Sequence, residues 1–273
     1  MLKSTVGIIL LMLAMASDLF AQFSGGAGTA ESPFEIRTRA ELMEVSNYPN
    51  SHFILKNNIR DSVRTPISEI NNSTFNGNGY KVSLALYDTT SNNIVSLFKF
   101  ANGDVTIKNL VVDGYVYGYW ASGIIGDTEY TDSIRNYKLI NCINLAKITG
   151  IACAGGLVHW TNNNMIIEQC INLVTCVADL AAAGGLISHF ECAHLPGDST
   201  LLINNSINAG FIASIGTSTL HCYASGILGY DTWFRSWMLI SPPYRSKIRN
   251  SINIGIIKSN TDYLDPFLLI LRY

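Results

Sequence analysis

The chain has 273 residues, 48% of them hydrophobic and only 14% charged, with a formal net charge of -2 and a mean hydropathy of +0.22. That composition argues for a folded core of ordinary size and against disorder. With 18 Lys and Arg against 20 Asp and Glu, there is little from which to build a phosphate-neutralising face, so nucleic acid is not an expected partner.

The first element is a targeting segment. Lys3, the apolar run from Val6 to Ala16 and the sequence Leu19-Phe20-Ala21-Gln22 have the layout of a secretory signal over residues 1–21. The run ends at Ser17-Asp18, short of the roughly 18 apolar residues that a membrane span takes. Later apolar stretches are cut every few residues by Gly, Asn or Asp, so no membrane span is expected in the mature chain. The expected location is secreted or at the cell surface. Six cysteines in an exported chain predict disulfides by default. Free buried thiols are the alternative, favoured for Cys142 and Cys170 because serine takes their place in other rows of the repeat.

Residues 22–104 read as an N-terminal cap and first coils. Thr38 and Glu41 make a capping box ahead of Leu42, Met43 and Val45, which predicts a short amphipathic helix. Laid over an open stack of strands, it would protect the edge.

Residues 105–258 repeat. Ile107, Leu139, Ile167, Ile203 and Ile248 begin five rows of matching chemistry. Two places on stands an amide column, Asn109, Asn141, Gln169, Asn205 and Asn250; a second follows at Asn144, Asn172, Asn208 and Asn253, with Val112 as the exception. Leu110, Cys142, Cys170, Ser206 and Ser251 lie between them, a small-residue slot that suits free thiols better than a bridge. A second landmark recurs as Ser122-Gly-Ile-Ile, Gly155-Gly-Leu-Val, Gly184-Gly-Leu-Ile and Ser225-Gly-Ile-Leu. Short Ile- and Val-rich segments punctuated by Asn and Gly read as strands and turns, stacked row on row into a solenoid. The fold class is therefore all-β, a parallel β-helix. The first amide column is expected to form a structural ladder of stacked side chains.

These Asn-Cys-Ile-Asn and Gly-Gly-Leu-Val pieces, with Phe23-Ser-Gly-Gly-Ala-Gly-Thr, Ser32-Pro-Phe-Glu-Ile and Phe75-Asn-Gly-Asn-Gly-Tyr-Lys-Val, resemble the GLUG-motif proteins of bacterial surfaces. The resemblance covers residues 23 to 258 and implies a right-handed β-helix, a surface location and, loosely, adhesion. It carries no catalytic signature. The chain departs from the pattern in its long, uneven insertions and in the irregular tail over residues 259–273, which reads as an improvised cap or as the end of a fragment.

Row spacing varies from 28 to 45 residues, which a rigid coil cannot absorb, so the differences are expected in loops gathered on one face. Those loops would hold Asp127, Glu129, Tyr130, His159, Trp160, His189, Phe190, Glu191, Tyr230, Asp231, Trp233 and Trp237. Aromatic rings with carboxylates suit sugar faces or a protein partner, and Tyr130, Trp160, His189, Tyr230, Trp233 and Trp237 are the expected ligand-binding set. The bland alternative is that the rings pack on their own loops.

His189, Glu191, Cys192 and His194 fit no metal-ligand spacing, and no cofactor or metal is expected. If the protein were instead a polysaccharide hydrolase or lyase, Asp127, Glu129, Glu191 and Asp231 would be the candidate carboxylates; no catalytic residue is otherwise expected. The sequence thus favours a non-catalytic, adhesin-like protein that binds a glycan or host-surface ligand. A polysaccharide-active enzyme and a passive stalk are the alternatives.

Overall fold

The computed structural model describes residues 22–129, 133–191, 200–216, 223–232 and 247–259, with the backbone alone at 230–232. The signal segment, Tyr130, Cys192, His194, Cys222, Trp233, Trp237 and the tail beyond 259 lie outside the described residues.

One coil shows how the sequence builds the fold. Asn136–Ile140 is a strand whose alternate residues Tyr137 and Leu139 are fully buried. Asn141 then turns the chain at φ 52°, a left-handed conformation that asparagine tolerates better than most residues. Ile143–Gly155 is the second strand, Gly156 and Leu157 form the next corner, and Val158–Thr161 is the third strand. The chain then rises to Asn164–Glu168, which pairs in parallel with Asn136–Ile140 and sets Ile167 beside Leu139.

Repetition of this path gives three parallel sheets. Sheet A has eight strands, in chain order from Phe34–Ile36 to Lys247–Arg249. Sheet B has 13, several of them pieces of one interrupted coil edge, and sheet C has six, from Ile67–Asn71 to Leu228–Thr232. The molecule is a parallel β-helix. The aliphatic column read from the sequence is in register, and three phenylalanines extend it upward: Phe34, Phe53, Phe75, Ile107, Leu139, Ile167, Ile203 and Ile248. Three-sheet coils therefore begin at His52, well before the first recognisable repeat row.

The amide columns do different jobs. Asn109, Asn141, Gln169, Asn205 and Asn250 all turn at positive φ, between 47° and 54°. Side-chain links in this column join Asn141 to Asn109 at 2.9 Å and Asn109 to Asn76 at 3.1 Å. The unbroken ladder runs instead along the second column. Asn144 Nδ2 donates to Asn172 Oδ1 at 2.8 Å, Asn172 to Asn208 at 2.7 Å, and Asn208 to Asn253 at 2.6 Å. Each of these amides also donates to the carbonyl two residues on, at Ala146, Val174, Gly210 and Gly255. Buried amides are costly unless paired in this way.

The two sequence landmarks meet in space. A Cβ on Gly156 would lie 2.0 Å from the Gly185 carbonyl oxygen and 3.0 Å from Asn172 Cγ, so the corner admits only glycine because the backbone of the next coil's corner, with the asparagine row beside it, fills the space.

The cysteine slot has its own logic. The Cys142 N–H points at Cys170 Sγ at 3.4 Å, the Cys170 N–H at Ser206 Oγ at 3.1 Å, and the Ser206 N–H at Ser251 Oγ at 3.1 Å. A small side chain in each coil thus accepts the turn N–H of the coil before it. Cys142, Cys153, Cys170 and Cys176 are free and buried, as expected for Cys142 and Cys170 from their small-residue slot, and against the disulfide expected by default at Cys153 and Cys176. Burial pushes the Cys170 thiol well above its ordinary value and the Cys176 thiol up to about 12.

The N-terminal end is closed. Thr38 caps the helix Arg39–Met43 through the reciprocal Thr38–Glu41 pair, and a 3-10 turn, Glu44–Asn47, comes next. Leu42 and Val45 enter the core. Phe23 stacks on Phe34 with centroids 4.4 Å apart, and Tyr48 and Phe53 complete the aromatic plug.

Candidate functional site

The residues expected on loops lie in strands. Asp127 belongs to Ile125–Thr128, His159 and Trp160 to Val158–Thr161, His189, Phe190 and Glu191 to Ile187–Glu191, and Tyr230 and Asp231 to Leu228–Thr232. The glycine landmark is itself the corner, and the strand after it is the third side of the coil. Phe190 is wholly buried in the core, and His159 is 5% exposed; neither is a loop side chain.

Parallel pairing places Glu69, Phe100, Asp127, Trp160, His189 and Tyr230 in one register row of sheet C. Successive members are spaced at about 4.8 Å, the separation of hydrogen-bonded strands. Phe100 is exposed, and Trp160 and His189 are partly so. The indole N–H of Trp160 donates to Glu191 Oε2 at 3.1 Å, so a carboxylate on the next coil fixes the ring. Burial and the neighbouring His159 charge hold the His189 imidazole down at about 4.

Of the candidate carboxylates, Asp127, Glu129 and Glu191 are engaged by protein groups. Besides the Glu191 contact to Trp160, Glu129 accepts the Gly103 N–H at 3.0 Å and pairs with Arg135 at 3.5 Å. It lines a shallow polar groove with Asn72 and Asn102, at the corner where sheet C returns to sheet A. Asp127 Oδ1 lies 2.6 Å from His159 Nδ1.

That last contact opens onto a cluster that sequence reasoning missed. The His159 ring stacks on Trp120, with centroids 5.6 Å apart and planes at 13°, and the Cys153 thiol is its other close polar neighbour. Burial disfavours the imidazolium, but Asp127 and Cys153 outweigh it and raise His159 to about 9. Burial likewise raises the Cys153 thiol, and the His159 ring overcomes this to leave it below its ordinary value. Trp120 and Cys153 are paired neighbours after a register shift just beyond Gly118, which no spacing rule reveals. One signal was available: in the four rows that carry the glycine landmark, His159 stands in a column otherwise filled by Gly126, Ser188 and Gly229.

Sheet B carries a second aromatic surface, also missed. Tyr87 and Tyr115 are 65% and 47% exposed, and Tyr87 stacks on Tyr117 at 5.1 Å. The alternation Tyr115-Val116-Tyr117-Gly118-Tyr119 was its trace in the sequence. No cluster of three or more His, Cys, Asp or Glu among the described residues is placed to hold a metal ion.

No family model matches the chain. A protein of Evansella cellulosilytica, provisionally described as a Gly-rich membrane protein, is 30% identical over 118 residues, covering 38% of this chain and 14% of the relative. The chain thus spans about a seventh of that relative's length. Among solved structures, a Bacteroides ovatus protein provisionally described as an immunoglobulin A1 protease superposes with a TM-score of 0.58 at 16% identity, covering 88% of this chain and 80% of its own. That likeness establishes the shared β-helix fold. No helix among the described residues is long and apolar enough to cross a membrane.

Proposed function

We propose that the protein is an exported, surface-associated β-helix that binds a glycan, without catalysis, on the outward row of sheet C. The carrying observation is the in-register row of Phe100, Asp127, Trp160, His189 and Tyr230, with the Trp160 ring fixed by Glu191. The exposed Phe100 and the partly exposed Trp160 and His189, with Asp127 between them, suit the alternating apolar faces and hydroxyls of a sugar chain. A pre-positioned ring loses little freedom on binding. The engagement of Asp127, Glu129 and Glu191 by protein groups favours this reading over a glycosidase, whose two carboxylates must both face the scissile bond. The signal-like N-terminus, the GLUG resemblance and the membrane description of the bacterial relative support export.

The test is binding of residues 22–273 to a broad polysaccharide array. Selective binding is expected, weakened by about tenfold or more in Trp160→Ala, the range of a buried aromatic anchor. A Trp233→Ala/Trp237→Ala variant probes the sequence-predicted rings outside the described residues. Glycan binding that survives loss of Trp160 would overturn the assignment of the site to sheet C, and a silent array from folded protein would overturn the glycan reading itself.

A further inference from the structure

Outside the glycan row's exposed rings, one cluster combines a nucleophile, a base and an orienting carboxylate. Asp127 takes His159 Nδ1 at 2.6 Å, which leaves the other ring nitrogen for a second partner, and the Cys153 thiol is the neighbouring group, paired beside the Trp120 on which the imidazole stacks. The Trp120 stack fixes the ring plane. This is the nucleophile, base and orienter arrangement that activates a thiol, although the three residues come from two sheets and two coils. The side chains around the sulfur are small or flat: Ala152, Ala181 and Ala182, with Tyr119 and Trp120. Cys153 is 8% exposed, whereas Cys142, Cys170 and Cys176 are at 0%. Only a small reagent can reach it, and no other described thiol has a basic side chain as partner.

We propose that Cys153 is a reactive thiol site for small peroxides, with His159 as its acid-base partner and Asp127 as the residue that positions His159. The Cys153 proton passes to His159, and the thiolate sulfur attacks the hydroxyl oxygen of the peroxide; the S–O bond forms as the O–O bond breaks. The departing oxygen takes the proton from His159, leaving water or an alcohol, a sulfenic acid on Cys153 and a neutral imidazole. Sulfur gives up two electrons and the peroxide accepts them. The site does not depend on the glycan reading.

The test exposes the folded full chain to hydrogen peroxide, traps sulfenic acid with dimedone and maps the adducts by peptide mass spectrometry. Cys153 is expected to be trapped while Cys142, Cys170 and Cys176 are not. In Asp127→Asn and His159→Gln the trapping rate at pH 7 should fall by about tenfold or more, since thiolate character governs the rate. The titratable groups facing the imidazole are Asp127 and Cys153, with His189 on the following strand. In the native protein, alkylation of Cys153 by iodoacetamide should therefore persist to lower pH than that of a free cysteine. Should His159→Gln fail to fold by circular dichroism, Asp127→Asn and the native alkylation profile decide. An unmodified Cys153, a rate unchanged in Asp127→Asn, or an alkylation profile like that of free cysteine would each overturn the proposal.

Discussion

His159 and His189 stand on adjacent strands of one sheet, and their surroundings drive them in opposite directions. His159 gains a carboxylate and a thiol and rises to about 9; His189 gains burial and a cationic neighbour and falls to about 4. The sign of each contribution to stability comes from the unfolded value of about 6.5. The raised His159 stabilises the fold fully below pH 6.5, and this is lost as pH rises through 9. The depressed His189 costs nothing above pH 6.5, but its protonation destabilises the fold as pH falls toward 4. The sum of these two contributions is most favourable near pH 6.5. Replacing His189 with Gln should flatten the acid limb by up to about 3 kcal/mol, read by urea denaturation at pH 4.5 and 7; an unchanged difference between the two would contradict the assignment. Neither shift could be read from the sequence, because each depends on burial and on neighbours that only the fold brings together, Asp127 and Cys153 for His159 and His159 for His189.

At the scale of the element, the repeat columns were legible because each has a fixed backbone demand. Asn141 and Asn205 must turn left-handed, the Cys142 and Ser206 column must accept an N–H from the coil before, and Gly156 must clear the Gly185 carbonyl. Sheet C was not legible, for an equally physical reason. Its strands run four or five residues, and Val158 and His159, like Ile187 and Ser188, are consecutive buried residues, so the two-residue alternation that marks a strand is broken. The sheet therefore looked like a set of loops. The columns also say where the fold is vulnerable. Replacing Asn172 with Ala removes its bonds to Asn208 and Val174 and takes the acceptor from Asn144 Nδ2. Stranding a buried amide costs about 1–3 kcal/mol beyond the bonds lost. Thermal denaturation of Asn172→Ala should show a larger drop than Asn136→Ala, whose amide is exposed; equal drops would mean that the ladder contributes nothing special.

For the whole molecule, stability is a sum over stacked coils and depends on how the stack is closed. The N-terminal plug of Phe23, Phe34, Tyr48 and Phe53, with Leu42 and Val45, covers the first complete coil. The strand Phe34–Ile36 pairs with the edge of His52–Leu55. Removing residues 22–48 would bare that edge together with the apolar interior, and exposed parallel edges recruit other chains. The truncated protein should associate with rising concentration in light scattering, whereas the full chain should not; a monomeric truncation would show that the cap is dispensable.

The row of Asn144, Asn172, Asn208 and Asn253 has a direction: every Nδ2 donates toward the C-terminal end and every Oδ1 receives from the N-terminal side. Four aligned amide dipoles in a poorly polarisable interior reinforce one another. The core thus has an electrical polarity along its axis, with the positive end toward Asn253. A coil of the same sequence can join that end only by offering an acceptor and the other end only by offering a donor. The asparagine row therefore sets the sense in which coils may be stacked.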